Sequence, residues 1–222
     1  MGSFYGNVLV ARECAEVMLL LDGATGEDGE ALRGYAFPVG PGHTAICPAP
    51  DTDAIRLAGP LSRLLGAPTL SVDVHDSDVL DMRVYEDGEL RHAYDSFPGY
   101  FDEVEADEDE NPVGLADGED FAYPAPVGVD PEAFLPLAAG SVDRGVLESV
   151  LRCVPRDPED GEEGRYVFAD DQHYDVMETL GLDARRLCTG HTYLSRGQLP
   201  DGLPREALRV FGEAGFSPLA GD

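Results

Sequence analysis

Apolar residues follow two rhythms along this chain, and the change of rhythm divides it. From Phe4 to Ala11 both alternating sets are largely apolar: Phe4, Gly6, Val8 and Val10 against Tyr5, Asn7, Leu9 and Ala11. That pattern predicts a strand buried on both faces. Cys14, Val17, Met18 and Leu21 then recur at helical spacing from Glu13, and Gly23 ends the predicted helix. Two extended segments follow, "GYAFPVG" (34–40) and "HTAICPA" (43–49), joined by Pro41-Gly42. A helical stretch from Asp53 to Leu65 is expected to kink or restart at Gly59-Pro60, because Pro60 has no backbone donor. "TLSVDVH" (69–75) alternates Leu70, Val72 and Val74 with Ser71, Asp73 and His75, a half-buried strand. The predicted order is β-α-β-β-α-β, the ferredoxin-like order, in which helices cover one face of an antiparallel sheet.

A hairpin extends that sheet, with Asp87-Gly88 as its turn signal. A two-residue loop pairs Val84 with Arg91 and mixes the faces. A three-residue loop pairs Val84 with Leu90, Met82 with His92 and Leu80 with Tyr94, gathering the apolar residues on one face. Register follows burial, so the three-residue loop is expected, at the cost of an Arg83–Arg91 opposition.

Beyond "SFPGYF" (96–101) the pattern changes. Residues 101–120 hold ten acids and no base. Like charges at this density repel one another, which predicts a solvated loop or linker to about Val129. The rest reads as mainly helical. Asp130 caps a helix running to Ala139, with Pro131 at its first position. Ser141 caps another containing Leu147, Val150, Leu151 and Val154. A second acidic loop covers 157–163, and a third helix runs from Asp170 to Leu180, before Gly181. "TYLS" (192–195) reads as a short strand and Pro204 to Ala214 as a last helical segment. The fold class is therefore α+β: a sheet domain (1–100), an acidic linker (101–129) and a mainly helical region packing on the first (130–222).

Charge narrows the function classes. The chain has 44 acidic residues against 15 basic ones, a net charge of −29, and every basic residue is arginine. Such a surface repels phosphates, which argues against nucleic acids and anionic membranes and leaves a basic protein partner open. No apolar stretch approaches the ~20 residues that span a bilayer, and the N-terminal segment has no secretory pattern, so a soluble, cytoplasmic protein is expected. Without lysine there is no phosphate-binding GxxxxGK loop, and neither GxSxG nor a strand-borne GxGxxG is present. No cofactor is indicated.

Two side-chain groups carry possible chemistry. His75, Asp76, Asp78 and Asp81 cluster in "VHDSDVLD", with His92 and Asp95 across the hairpin. Imidazoles and carboxylates together can bind a metal or move protons. Yet "HDSD" joins two strands, where Asp and Ser are favoured for bonding their own backbone, and a structural turn is the expected reading. His43-x3-Cys47 and Cys188-x2-His191 could supply two zinc half-sites. "HTAIC" reads as a strand, which suits a ligand pair poorly, so Cys47 and Cys188 are expected to be buried apolar groups. "DEDENP" (107–112) departs from a calcium loop, with Pro112 and Gly118 where Gly and Glu are needed.

The stretch "VHDSDVLDMRVYEDGELRHAYDSFPGYF" (74–101) resembles a segment in a set of uncharacterised bacterial proteins, where "HDDDVL…LYEDGELVDEYDSxPGYF" follows a βαββαβ region. Residues 166–182 are more loosely similar. The resemblance implies the fold order and a defined turn at "DSFPGY" (95–100), and carries over no catalytic residue. In size and acidity the chain also resembles bacterial immunity proteins, which neutralise basic toxin surfaces.

The leading expectation is a non-enzymatic binding protein of immunity or antitoxin type. Its acidic surface would meet a basic protein partner through Glu105, Asp107, Glu108, Asp109 and Glu110. The alternative is a metal-dependent enzyme or metal-binding protein using His75, Asp76, Asp78, His92 and Asp95.

Overall fold

The computed structural model describes residues 2–25, 29, 31–101, 124–162 and 164–212. Six strands and two helices form the first part: β1 (Tyr5–Val10), α1 (Cys14–Leu21), β2 (Gly34–Gly40), β3 (His43–Pro48), α2 (Ala54–Leu65), β4 (Thr69–His75), β5 (Val79–Glu86) and β6 (Glu89–Asp95). After residue 124 come a 3-10 helix (Pro131–Leu137), α3 (Arg144–Leu151), a small hairpin of β7 (Gly161–Glu162) and β8 (Arg165–Tyr166), α4 (Ala169–Thr179), α5 (Ala184–Leu187), α6 (His191–Ser195) and β9 (Arg209–Phe211). The class is α+β. Seven strands form one sheet in the order β6-β5-β4-β1-β3-β2-β9, and each neighbouring pair is antiparallel.

Both faces of the sheet are apolar, and each has its own core. On one face Val8, Val10, Ala36 and Ile46 meet Val17 and Leu21 of α1 and Leu57, Leu61 and Leu65 of α2. On the other, Leu9, Tyr35, Phe37, Leu70, Val72, Leu80 and Met82 meet Phe134, Leu147, Leu151, Val176, Met177 and Leu187 from the second half of the chain. The two halves thus share a hydrophobic core, worth about 1.5–3 kcal/mol per fully buried large side chain. A polar network ties them further. The Tyr94 hydroxyl on β6 donates to the Leu151 carbonyl (2.9 Å) and accepts from Gln172 Nε2 on α4 (2.7 Å), and both residues are buried.

Several elements differ from the sequence expectation. α2 is one continuous helix; Pro60 sits on its exposed side, and Asp53 and left-handed Gly66 cap its ends. The segment after Asp130 is a 3-10 helix, with Asp130 accepting from Glu132 N–H. α3 is capped by Asp143, not Ser141, and stops before Val154. "TYLS" is helical, because His191 and Leu194 of α6 pack into the fold one turn apart. The segment from Pro204 becomes a 3-10 turn and then β9, which fills the open edge of β2.

The hairpin register is the sharpest correction. The loop has two residues, Asp87 and Gly88, both left-handed (φ 54° and 83°). Glu86 faces Glu89 and Tyr85 faces Leu90, but Val84 then faces His92 and Met82 faces Tyr94. Arg91 is the extra residue of a β-bulge, so neither regular register applies. The bulge puts Leu80, Met82, Val84 and Tyr94 in the core and leaves Leu90 51% exposed. Arg91 escapes opposition to Arg83 and pairs with Glu86 and Glu89.

Gly88→Ala should destabilise the fold by about 1 kcal/mol, since a Cβ is penalised in the left-handed region and would also displace the Arg63 guanidinium. Urea unfolding of the two proteins measures it; an unchanged midpoint would contradict this role for Gly88.

Candidate functional site

The chemistry-bearing residues concentrate at the end of the sheet where β3 and β4 finish and β1 begins. Residues 75–79 make the turn there. Asp76 and Ser77 are both left-handed (φ 52° and 62°), and Ser77 staples three segments. Its Oγ accepts from Ser3 N–H (2.7 Å), its N–H donates to the Ser3 carbonyl (3.0 Å), and its carbonyl accepts from Ala169 N–H (2.7 Å) at the start of α4. "HDSD" therefore acts as a turn, and holds His75 at the rim.

Around His75 stand aromatic rings. Phe4 and Phe101 each lie 4.9 Å from it by ring centroids and Tyr100 5.9 Å, all near edge-on, while Phe97 contacts Tyr100. "SFPGYF" supplies three of these rings, and the Tyr100 hydroxyl donates to Asp78 (3.1 Å). Phe4 and Phe101 remain 49% and 68% exposed. Exposed rings grouped in this way are unlike isolated surface apolar residues and mark a candidate contact surface.

Beside this group a cleft of about 280 Å³ opens. Phe4 and His75 form its outer wall, Pro48 to Pro50 and Ile55 further walls, Gly6 and Asp73 its floor, and Asp53 and His191 its sides. Gly190 lets α6 approach this closely: a Cβ there would stand 2.7 Å from the Tyr5 Cβ. The His191 ring stacks at a tilt on Tyr35, with centroids 5.3 Å apart.

The electrostatics of the floor are unusual. Asp73, Asp81 and Asp95 lie directly opposite one another across β4, β5 and β6, on one face. Like charges in that arrangement repel. Arg83 relieves the middle one, with Nε and Nη2 at 3.0 and 3.2 Å from the Asp81 carboxylate. Asp95 accepts from Phe97 N–H (2.8 Å). The Asp73 carboxylate has no hydrogen bond or ion pair among the described residues. Burial, then the Asp81 and Asp53 carboxylates, raise its pKa above the ordinary aspartate value, with His75 and Arg83 acting the other way.

The five residues of the expected acid–base or metal group divide. His75, Asp76 and Asp78 share the turn. His92 lies on the opposite face, against the Phe134 ring and 2.7 Å from the Gly128 carbonyl through Nε2. Asp95 belongs to the carboxylate row. The zinc half-sites divide as well. His43 turns back to the Pro41 carbonyl (2.9 Å) at the far end of β3, and Cys47 is fully buried near the Thr189 carbonyl. Cys188 faces His173, while His191 faces the cleft. Among the described residues no three His, Cys, Asp or Glu side chains stand close enough to hold a metal ion. Burial pushes the Cys47 thiol up and Cys188 up to about 12, so both are protonated at neutral pH. Glu105, Asp107, Glu108, Asp109 and Glu110 lie outside the described residues.

A second polar group lies buried behind the cleft. Tyr5 Oη and His173 Nδ1 share a hydrogen bond of 2.8 Å, and Cys188 Sγ lies 3.8 Å from the same nitrogen. Burial drives the His173 imidazole down to about 3, so it stays neutral. A neutral imidazole beside a protonated thiol is not an activated nucleophile pair. This trio joins α4 to β1.

The cleft was not visible in the sequence, because its residues come from four separated segments: 4–6, 48–55, 73–75 and 190–192. The one local signal was Asp73, an acid in a strand whose every neighbour is uncharged. No protein-family model, curated relative or solved structure matches the chain.

Two outcomes follow from this geometry. A carboxylate whose folded-state pKa is raised costs nothing below its unfolded pKa and destabilises the fold as pH rises above it. Asp73→Asn should therefore raise the melting temperature at pH 7, and the gain should vanish below about pH 4, where the unfolded carboxylate is also protonated. Gly190→Ala should destabilise by about 1–3 kcal/mol through overpacking against Tyr5. Thermal melts of both variants across pH measure these effects; a lower melting temperature for Asp73→Asn at pH 7 would mean that Asp73 has a partner.

Proposed function

We propose that this chain is a non-enzymatic binding protein that meets a basic protein partner, as immunity and antitoxin proteins do, at the His75 end of its sheet. The observation that carries the reading is the aromatic group of exposed Phe4 and Phe101 and half-buried Tyr100, set among carboxylates. Aromatic rings give a contact its buried anchors, and surrounding carboxylates select a cationic partner and speed its approach. Charge distribution supports the same reading. Among the described residues nine arginines pair with carboxylates of this chain, against a total of 44 acidic residues in the sequence. The acidic run, which lies outside the described residues, follows Phe101 directly in the sequence. The strand order β4-β1-β3-β2, with α1 and α2 together on one face, supports a ferredoxin-like reading of the first hundred residues.

The metal-dependent alternative built on His75, Asp76, Asp78, His92 and Asp95 gains no support, since His92 faces the opposite side of the sheet. Among the described residues no helix is long and apolar enough to cross a membrane.

Capture from a lysate of the native host, compared between wild type and variants, tests the proposal. Wild type should retain a protein rich in Lys and Arg, and retention should fall steeply with added salt. Phe4→Ala with Phe101→Ala should lose it by about tenfold or more, as expected for aromatic anchors. Replacing Glu105, Asp107, Glu108, Asp109 and Glu110 with Gln or Asn should slow association without changing the melting temperature. Retention of the same protein by the double aromatic variant at unchanged affinity would refute the proposed surface.

A further inference from the structure

We propose that the cleft beside Phe4 and His75 is an anchor pocket for one arginine side chain of the basic partner. This rests on the function proposed above and names what its surface selects.

The floor sets the charge of the occupant. Asp73 is partly buried, faces two other carboxylates and has no cation of its own among the described residues. The arginines around the cleft are engaged: Arg83 is bonded to Asp81, Arg56 pairs with Asp53 (3.7 Å), and Arg33 pairs with Asp51. A carboxylate left in this state is destabilised until a cation reaches it. Asp53 stands at the side of the same cleft; one of its oxygens caps α2 by accepting from Ile55 N–H.

The walls set its shape. Pockets that hold whole small-molecule ligands run from about 300 to 1,000 Å³. At about 280 Å³ this one lies at the bottom of that range and has room for a side chain. Pro48, Ile55 and Phe4 offer apolar surface for a methylene stem, and the acid lies beyond them at the floor. An arginine head is flat, stacks on aromatic rings and bonds a carboxylate with two parallel N–H groups. A lysine head is compact and strongly hydrated, stacks less readily on the Phe4 and His75 rings, and lacks the planar fit. Gly6 keeps the floor open, since a methyl there would sit 3.4 Å from the Ala54 Cβ and 3.8 Å from the Asp73 Oδ1. Those distances are ordinary contacts, so Gly6→Ala fits the fold while narrowing the floor.

The test titrates the full chain with three short peptides, acetyl-Gly-Arg-Gly-amide and its lysine and citrulline counterparts, while following the imidazole resonances of His75 and His191. The arginine peptide should shift both resonances saturably, about tenfold or more tighter than the lysine peptide. Citrulline, nearly the same shape without the charge, should shift neither. Asp73→Asn should weaken arginine binding by about tenfold while remaining folded, and Gly6→Ala should weaken it with its charge intact. Equal binding of arginine and citrulline, or an unchanged affinity in Asp73→Asn, would overturn the pocket. Capture of the basic protein that depends on Phe101 but not on Asp73 would also overturn it and leave the binding surface standing. Arginine binding that depends on Asp73, with no basic protein retained from the lysate, would overturn the partner and the anchor role while the guanidinium site itself stood.

Discussion

Everything in this fold answers to one constraint: the central strand has no polar face. Val8 and Val10 point one way, Tyr5 and Leu9 the other, and all four are buried. A sheet built around such a strand needs a covering layer on each side. α1 and α2 supply one layer within the first half of the chain. The second layer has to come from beyond residue 124, which is why the 3-10 helix, α3, α4, α5 and α6 pack where they do. Asn7, the polar exception on β1, is used for this docking: its amide donates to the Leu187 and Thr189 carbonyls at 2.7 and 2.9 Å.

The candidate site lies where those two layers stop. At the His75 end, α2 begins and α6 begins, and neither extends over the strand ends. The gap between them is the cleft. Its floor can hold an unpaired carboxylate because β4 carries Asp73 on the α2 side, just beyond the reach of the apolar stripe of that helix. Its rim is fixed by a turn whose backbone is bonded to Ser3 and to the start of α4, so the rings around His75 sit on a rigid frame. Rigidity of this kind lowers the entropy cost of binding.

Strands were legible in the sequence wherever side chains alternate or run apolar on both faces; β2 and β4 keep the predicted limits of 34–40 and 69–75. The second half was less legible for a physical reason. Its elements are short, and their conformation is set by what they dock on. Residues 192–195 read as a strand by composition, but their packing partners stand one helical turn apart. The hairpin shows the limit of periodicity, since a bulge at Arg91 shifts the register by one residue and no spacing rule contains it. The candidate site was legible only in pieces. His75 and His191 were each singled out, for different chemistry, and their neighbourhood depends on four chain segments that meet only in the folded molecule.

The strand β9 has a consequence for how this chain is made. It closes the outer edge of β2, pairing residue 34 with residue 211. On a ribosome the β2 edge is therefore synthesised long before its partner, and stands open while the residues between them are made. An unpaired strand edge is a template for pairing with other chains. Two properties of this sequence protect it in that interval. The growing chain is strongly acidic, so nascent copies on neighbouring ribosomes repel one another, and Pro38 removes one donor from the β2 strand itself. The acidity of this chain thus also acts against mispairing during its synthesis.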